Sequence, residues 1–345
     1  GDCTLITGFV LEGIMHGYAQ TRDPELADDA RRIFKGLSLI GTVAEPRGFI
    51  PRGVCPGRTD YYFNTSVDQY TTFFSSVWRY AKSKIATDAE RALAAEMFVN
   101  CCRYIEAHGF DVMKSDLSAR CIFGDLSAKS PGRSERLLQF LRTTHDLSGD
   151  RHWLDLYHEK LEEDDRVRLK TCSFGPQRHN PYTSFHAIIQ TQVSLRVLLD
   201  VERDPEIRRH WQQASNDHAA RVMTKIHPWL DFTRIYWSCV EEDVESVWEE
   251  VKMIRDRWYF GRGGPQVEFN VRKWYDYMAR HDRFRWVTRE HHRSHRVVYP
   301  IFLPLMWEML SAVASVMLSD DAARKAEVAE MIWPLFAGLD FTGAV

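Results

Sequence analysis

A short polar motif that begins with aspartate recurs along the chain at a nearly fixed period. It starts at Asp23, Asp88, Asp150, Asp204 and Asp321, at spacings of 65, 62, 54 and 117 residues. The last spacing is about two periods, so one unrecognised motif near residue 262 would complete six repeat units. A period of this length is typical of folds that repeat one supersecondary unit, and it constrains the architecture before any local motif is considered.

Each motif separates two helical patterns that differ in their distribution of apolar residues. Before it comes a largely apolar helix, as in residues 67–80 and 185–199. After it comes a helix with one apolar stripe and a charged face, as in residues 24–42 and 152–170. Aspartate suits the turn because its carboxylate can cap the first N–H groups of the following helix. The repeat therefore predicts hairpins made of an enclosed inner helix, a tight turn and an outer helix that faces water.

Long connections join each outer helix to the next inner helix. They span residues 43–65, 109–131, 171–183, 227–240 and 282–301. Because antiparallel helices alternate in direction, all tight turns fall at one end of the assembly and all long loops at the other. Six such hairpins close into an (α/α)6 toroid, so we expect an all-α fold and a single catalytic domain over residues 1–345. The fifth hairpin is the weakest part of this prediction, since residues 241–258 are highly charged for an inner helix.

The composition argues against several classes of protein. With 44% hydrophobic residues the chain can bury a large core, and its formal net charge of −3 gives no electrostatic reason to bind nucleic acid or an anionic membrane. No apolar run approaches the roughly 20 residues of a membrane span, so we expect a soluble protein of the cytoplasm or the periplasm. The seven cysteines are odd in number and lack CxxC spacing, which argues against a disulfide framework and a structural zinc site.

The predicted long loops collect arginine, histidine, carboxylate and aromatic residues. Rings can cover the apolar faces of a sugar, while carboxylates and amides bind its hydroxyl groups. The excess of arginine and histidine favours an anionic sugar, because the guanidinium fork matches a carboxylate. We therefore expect a uronic-acid-containing oligosaccharide as the partner, and no cofactor. The predicted substrate-binding residues are Arg52, Arg58, Tyr61, Asn64, Gln69, Arg178, Asn180, Tyr182, His186, Trp229, Trp237 and His292.

Several sequence features together resemble one known superfamily. They are the period of about 60 residues, the turn Thr21-Arg22-Asp23-Pro24-Glu25-Leu26, the pair Arg52-Gly53 and the motif Asn64-Thr65-Ser66-Val67-Asp68-Gln69-Tyr70-Thr71. These features resemble the six-hairpin glycosidases, and within them the unsaturated glucuronyl hydrolases and the bacterial β-glucuronidases of this fold. The resemblance implies a toroid that releases a terminal glucuronate or unsaturated uronate by hydrolysis. It also implies an aspartate that protonates a vinyl ether and activates water.

Asp68 is the predicted centre of catalysis. It follows Asn64, Thr65 and Ser66, any of which could cap a helix, so it would lie in the first turn of an inner helix and project toward the hole. An acid in that position also complements the helix dipole, and this structural interpretation stays open. Glycoside hydrolysis normally requires a second carboxyl group. The predicted partners are Asp125 and Asp60, followed by Asp116 and Glu290.

A polysaccharide lyase is the main alternative. β-Elimination on a polyuronate requires a cation or an amide against the carboxylate and a base that removes the adjacent proton. Arg178, His179, Asn180 and Tyr182 would supply these groups, with His179 as a catalytic residue.

Further functions are weighed against the same residues. A sugar 2-epimerase would share the toroid and use paired histidines, whereas a non-catalytic toroid would bind sugar without turnover. The lack of a DDxxD run argues against a terpene cyclase. His291 and His295 are four residues apart, but the sequence has no HExxH motif, so no metal site is predicted.

Overall fold

The computed structural model describes residues 3–54, 60–121, 123–172 and 185–223, together with residues 320, 322, 323 and 326. In these residues every regular element is a helix, and β-type pairing is limited to two isolated bridges. The predicted all-α class is confirmed over this part of the chain. The helices are α1 (Cys3–Thr21), α2 (Pro24–Thr42), α3 (Val67–Lys82), α4 (Asp88–Ala107), α5 (Ser134–Ser148), α6 (Arg151–Cys172), α7 (Phe185–Val201) and α8 (Pro205–Met223).

The chain divides into two compact units. The first contains residues 1–176 and 190–215, and the second contains residues 177–189 and 216–345. Helices α1 to α6 and the larger parts of α7 and α8 belong to the first unit. The single catalytic domain expected from the repeat stays a prediction.

Tight turns join the described helices into four hairpins, α1–α2, α3–α4, α5–α6 and α7–α8. At three of these turns an aspartate accepts a hydrogen bond from the first turn of the second helix, as the sequence predicts. The aspartates are Asp23, Asp150 and Asp204, and the donors are the N–H groups of Glu25, His152 and Glu206 at 2.9, 3.1 and 2.8 Å.

The remaining described turn is capped by a different residue. The sequence predicts Asp88 as the cap of α4, but Thr87 occupies that position and accepts from the N–H of Glu90. The Glu90 carboxylate accepts in return from the Thr87 N–H at 2.8 Å, which completes a capping box. The prediction for Asp88 is wrong because threonine followed three residues later by glutamate satisfies two N–H groups at once.

The inner helices α1, α3, α5 and α7 lie parallel. Contacts between two of them join residues whose separation along the chain stays nearly constant over several turns, which requires both helices to run in the same direction. The N-termini of α1, α3 and α5 therefore lie at one end of the first unit, together with the segments that lead into α3 and α5. The pairs are Leu5 with Gln69 and Gly8 with Thr72 (64 residues apart), Asp68 with Arg136 and Trp78 with Asp146 (68 apart), and Asp68 with Gln190 and Arg79 with Asp200 (122 and 121 apart).

A glycine sets the closest approach of α1 to α3. A Cβ atom on Gly8 would lie 2.7 Å from the Cβ and 2.9 Å from the backbone oxygen of Thr72. Backbone atoms cannot move aside at such a distance, so only glycine fits here. The position therefore fixes the register between the first two inner helices.

Aromatic rings fill the space between the inner helices and α4. Phe74 of α3 lies between Phe98 of α4 and Phe140 of α5, with ring centroids at 4.2 and 4.4 Å. All three side chains are fully buried. Each such ring removes about 150–250 Å² from water, so this stack is a major source of stability beneath the candidate site.

The connection over residues 43–66, which we call loop one, is tied to the helix that follows it. The hydroxyl of Tyr70 in α3 donates to Gly48 O and accepts from Ile50 N, both at 3.0 Å. Gly48 has a φ of +91°, and its backbone packs against Asn100 of α4. These contacts hold the segment that leads into α3.

Helix α6 is interrupted where the sequence predicts one continuous helix. Residues 163–166 leave the helical conformation, and Asp164, Asp165 and Arg166 have positive φ values. The prediction fails because consecutive acids form ion pairs outside the helix, in which Lys129 binds both Glu163 and Asp164. The buried Arg168 then binds the backbone oxygens of residues 126–128 and secures the connection between α4 and α5.

Candidate functional site

A partly exposed carboxylate lies at the end of the bundle where the long connections meet the inner helices. Asp68 is in the first turn of α3, and its Oδ1 accepts from Arg136 Nη1 of α5 at 2.6 Å. The Asp68 side chain is 16% exposed and the Arg136 side chain 1% exposed. A charge-assisted hydrogen bond of this length fixes the orientation of the carboxylate. The predicted position of Asp68 in the first turn of an inner helix is confirmed.

A third inner helix reaches the same residue. Gln190 Nε2 of α7 donates to the backbone oxygen of Asp68 at 2.8 Å. Ser66, the N-cap of α3, is fully buried, and its side chain makes no capping hydrogen bond. Three inner helices thus converge on the first turn of α3.

A second carboxyl group lies directly beside Arg136 in the sequence but is enclosed. Glu135 accepts from Thr191 Oγ1 of α7 at 2.7 Å and from the Gly132 N–H at 3.0 Å. Complete burial raises the pKa of Glu135 above its usual value, although the charge of Arg136 and both hydrogen bonds oppose the rise. Burial also raises the pKa of the nearby Cys172 thiol, and the Glu135 charge adds to that effect. Through the hydrogen bond from Thr191, Glu135 links α5 to α7.

The raised pKa of Glu135 predicts a pH-dependent stability. From about pH 4.5 upward the unfolded chain releases the proton of this group before the folded chain does, so the free energy of unfolding falls as the pH rises toward the folded-state pKa. We expect Glu135→Gln to remove this contribution, which has a slope of at most about 1.4 kcal/mol per pH unit. Urea unfolding of both proteins across the acidic and neutral range measures it.

Glu163→Gln is the control for that experiment. The ion pairs with Lys129 and Arg168 hold the pKa of Glu163 below its usual value even though burial acts in the opposite direction. Its contribution is therefore present above about pH 4.5 and lost as the pH falls, the opposite sign to Glu135. Identical pH profiles for the wild type and Glu135→Gln would contradict the prediction.

The predicted residues of loop one have mixed surroundings. Asp60 is exposed, and Arg52 is half-buried with its backbone oxygen accepting from Thr4 N. The Tyr61 hydroxyl donates to the backbone oxygen of Glu45 at 2.6 Å. Asp60 is therefore open to solvent, and Tyr61 has a structural role. The roles of Asp60, Arg52 and Tyr61 in substrate binding or catalysis stay a prediction.

Two predicted residues flank Asp68 and are bonded within the fold. Asn64 Oδ1 accepts from Thr65 N at 3.0 Å. Gln69 is fully buried, and its Oε1 accepts from Leu5 N at 2.9 Å, so it satisfies a donor in the first turn of α1. Gln69 therefore helps to align α1 with α3.

The predicted partner Asp125 lies on the connection between α4 and α5. Its Oδ1 accepts from Arg133 Nε at 2.9 Å. Burial alone would raise the pKa of Asp125, but the charge and hydrogen bond of Arg133 outweigh it, so the pKa is below the usual value. Asp125 is therefore a carboxylate at neutral pH.

Exposed rings surround the start of α3. Tyr62 and Phe63 are about half exposed, and their ring centroids are 5.4 Å apart. Phe123 is the most exposed of the large hydrophobic residues described, and its backbone oxygen accepts from the N–H of Val67, the first residue of α3. These exposed rings are absent from the predicted site residues.

Several predicted residues lie outside the described part of the chain. They are Arg58, Arg178, His179, Asn180, Tyr182, Trp229, Trp237, Glu290 and His292. For His186 the structure describes only the backbone, which belongs to α7. The lyase set therefore stays a prediction.

Comparison with known proteins gives no relative. No protein-family model, no curated protein and no solved structure matches the chain.

Sequence reasoning missed the partners of Asp68. Arg136 is a charged residue in the first turn of a helix whose next two turns are largely apolar in sequence, and that contrast is a signal that could have found it. Gln190 gives no comparable signal, because its role depends on how α7 aligns with α3.

In the part of the chain that the structure describes, no group of three or more His, Cys, Asp or Glu side chains is placed to hold a metal ion, and no helix is long and apolar enough to cross a membrane. The described cysteines carry free thiols.

Proposed function

We propose that this protein is a glycoside hydrolase that releases a terminal uronic acid, glucuronate or its unsaturated form, from an oligosaccharide. The observation that carries the proposal is the Asp68 carboxylate, which is partly open to solvent and held at 2.6 Å by a buried arginine. A fixed carboxylate at the mouth of a helical bundle is suited to acid–base chemistry on a bound ligand.

The finer architecture that we propose is an (α/α)6 toroid. Its support is the parallel alignment of α1, α3, α5 and α7 and, among the four described hairpins, the occurrence of every tight turn at the same end. In such a ring the N-termini of the inner helices point toward the ligand, and their partial positive charge favours an anionic sugar.

In the proposed reaction the Asp68 carboxylate, held by Arg136, removes a proton from the attacking water as the water oxygen bonds to the anomeric carbon. Asp68 then returns that proton to the glycosidic oxygen as the bond to the leaving group breaks. Arg136 is a positioning residue, since it acts through Asp68. Asp125, whose pKa is lowered, is likewise suited to accept a proton or to stabilise positive charge rather than to donate a proton. The exposed rings of Tyr62, Phe63 and Phe123 would cover the apolar faces of the sugar.

The test is hydrolysis of a panel of α- and β-glucuronides and unsaturated uronate disaccharides. We expect Asp68→Asn to reduce turnover of the cleaved substrate by about a hundredfold or more, the usual range for the loss of an acid–base group. Release of free uronate is measured, and circular dichroism verifies that the variant is folded.

Asp88→Asn is the matched control, because Asp88 is also an aspartate in the first turn of a helix and is paired with an arginine, Arg91 at 2.7 Å, but is fully exposed at the tight-turn end. We expect it to retain turnover. Full activity in Asp68→Asn would exclude the proposed role of Asp68, and formation of a new double bond in an intact polyuronate would favour the lyase instead.

A further inference from the structure

Several buried polar atoms on the inner helices α5 and α7 have no hydrogen-bond partner. They are both amide atoms of Gln139 in α5, and Gln190 Oε1 and Ser194 Oγ in α7. All three residues are fully buried. Natural proteins satisfy most buried polar groups, so several unpartnered groups in one place require an explanation.

The helix register places these residues, which we call the unpartnered polar set, where α3, α5 and α7 meet. Gln139 lies one turn after Glu135, which bonds to Thr191 of α7, so it shares the face of α5 that looks toward α7. Ser194 lies one turn after Gln190, whose Nε2 reaches Asp68 of α3. The set is therefore one turn deeper than the Asp68–Arg136 ion pair.

The chemistry of the set is neutral. A primary amide, an amide oxygen and a hydroxyl offer both donors and acceptors and no charge. A leucine in place of a buried and unsatisfied glutamine would stabilise a purely structural core. Residues that lower the stability of the fold but offer hydrogen-bond donors and acceptors to a ligand are typical of binding sites.

We infer that the unpartnered polar set binds hydroxyl groups of a polyhydroxylated ligand enclosed by α3, α5 and α7. The inference deepens the proposed function and rests on it for the identification of the ligand as a sugar. The inner-helix N-termini would hold the anionic end near Asp68, while this set would hold the neutral hydroxyls.

The experiment measures thermal unfolding of the full chain alone and with D-glucuronate or D-glucose. For the wild type we expect a rise in Tm of about 3 °C or more at about ten times the Kd of at least one of these sugars. Gln139→Leu is expected to raise the ligand-free Tm by about 2 °C, because it removes an unsatisfied buried amide, and to abolish the sugar-induced rise.

Gln192→Leu is the matched control. Gln192 is also a fully buried glutamine, but its amide donates to Ser215 O at 2.9 Å and accepts from Ser215 Oγ at 2.8 Å. Its replacement is expected to lower the ligand-free Tm by about 4 °C and to keep the sugar-induced rise. Ser194→Ala, a smaller change, repeats the test if Gln139→Leu does not fold.

The outcomes are distinct from those of the hydrolysis assay, because free sugars are not cleaved. Sugar binding that is lost in Gln139→Leu supports the inference even if no glycoside is hydrolysed. The lack of hydrolysis would then contradict only the proposed function. Absence of a sugar-induced rise in the wild type, or an unchanged rise in Gln139→Leu, would overturn the inference.

Discussion

Replacement of Arg136 by methionine is expected to lower the free energy of unfolding by about 3–5 kcal/mol, the usual cost of removing one partner from a buried ion pair. Arg136 is 1% exposed and donates to Asp68 at 2.6 Å, so the variant leaves a largely buried carboxylate without its counter-charge. Urea denaturation at neutral pH measures the change.

Two controls separate the effect of losing the ion pair on the free energy of unfolding from the effect of losing packing contacts. In the double variant Asp68→Asn with Arg136→Met, neither charge remains, and we expect a coupling energy above about 1 kcal/mol in the double-mutant cycle. Arg31 makes an ion pair of 2.8 Å with Asp28 on the surface of α2, with side chains 48% and 72% exposed. Arg31→Met should change the stability by less than about 0.5 kcal/mol. Equal effects of the two arginine variants would contradict the special role of Arg136.

Gly48→Ala is expected to destabilise the protein by about 3 kcal/mol or more. A Cβ at this position would lie 2.1 Å from the backbone oxygen of Asn100, and the φ of +91° is unfavourable for any residue with a side chain. Because Gly48 also accepts from the Tyr70 hydroxyl, the displacement would loosen loop one where it leads to Asp68. The midpoint of thermal unfolding and the protection of loop one against proteolysis report the effect.

Gly109→Ala isolates the contribution of the backbone angle. Gly109 has a φ of +67°, but a Cβ there would meet no atom within 4 Å. We expect a loss of about 1–2 kcal/mol for the left-handed conformation alone. If Gly48→Ala cost no more than Gly109→Ala, the close approach to Asn100 would not constrain the loop.

Local chemistry explains which parts of the fold were predictable from the sequence. The turns at Asp23, Asp150 and Asp204 were predicted because a cap depends on residues that are neighbours in the chain. Asp68 was placed in the first turn of α3 for the same reason, since the polar residues before it identify the start of the helix. The break in α6 was missed because it depends on Lys129, which lies in a different connection.

The partners of Asp68 could not be derived in this way. Arg136 and Gln190 reach it only through the alignment of α5 and α7 with α3, and tertiary packing sets that alignment through contacts such as Gly8 against Thr72. The unpartnered amide of Gln139 is likewise a property of its surroundings. A glutamine in the sequence does not reveal whether its hydrogen bonds are satisfied.

The parallel alignment of the inner helices has a consequence for the order of folding. Each hairpin can form early, because its two helices are joined by a short turn and its contacts are local. The contacts from α3 to α1 and α5 instead close chain segments of 64 and 68 residues, which gives the bundle a high contact order. We therefore expect the carboxylate site at the start of α3 to form late, when separately folded hairpins pack side by side.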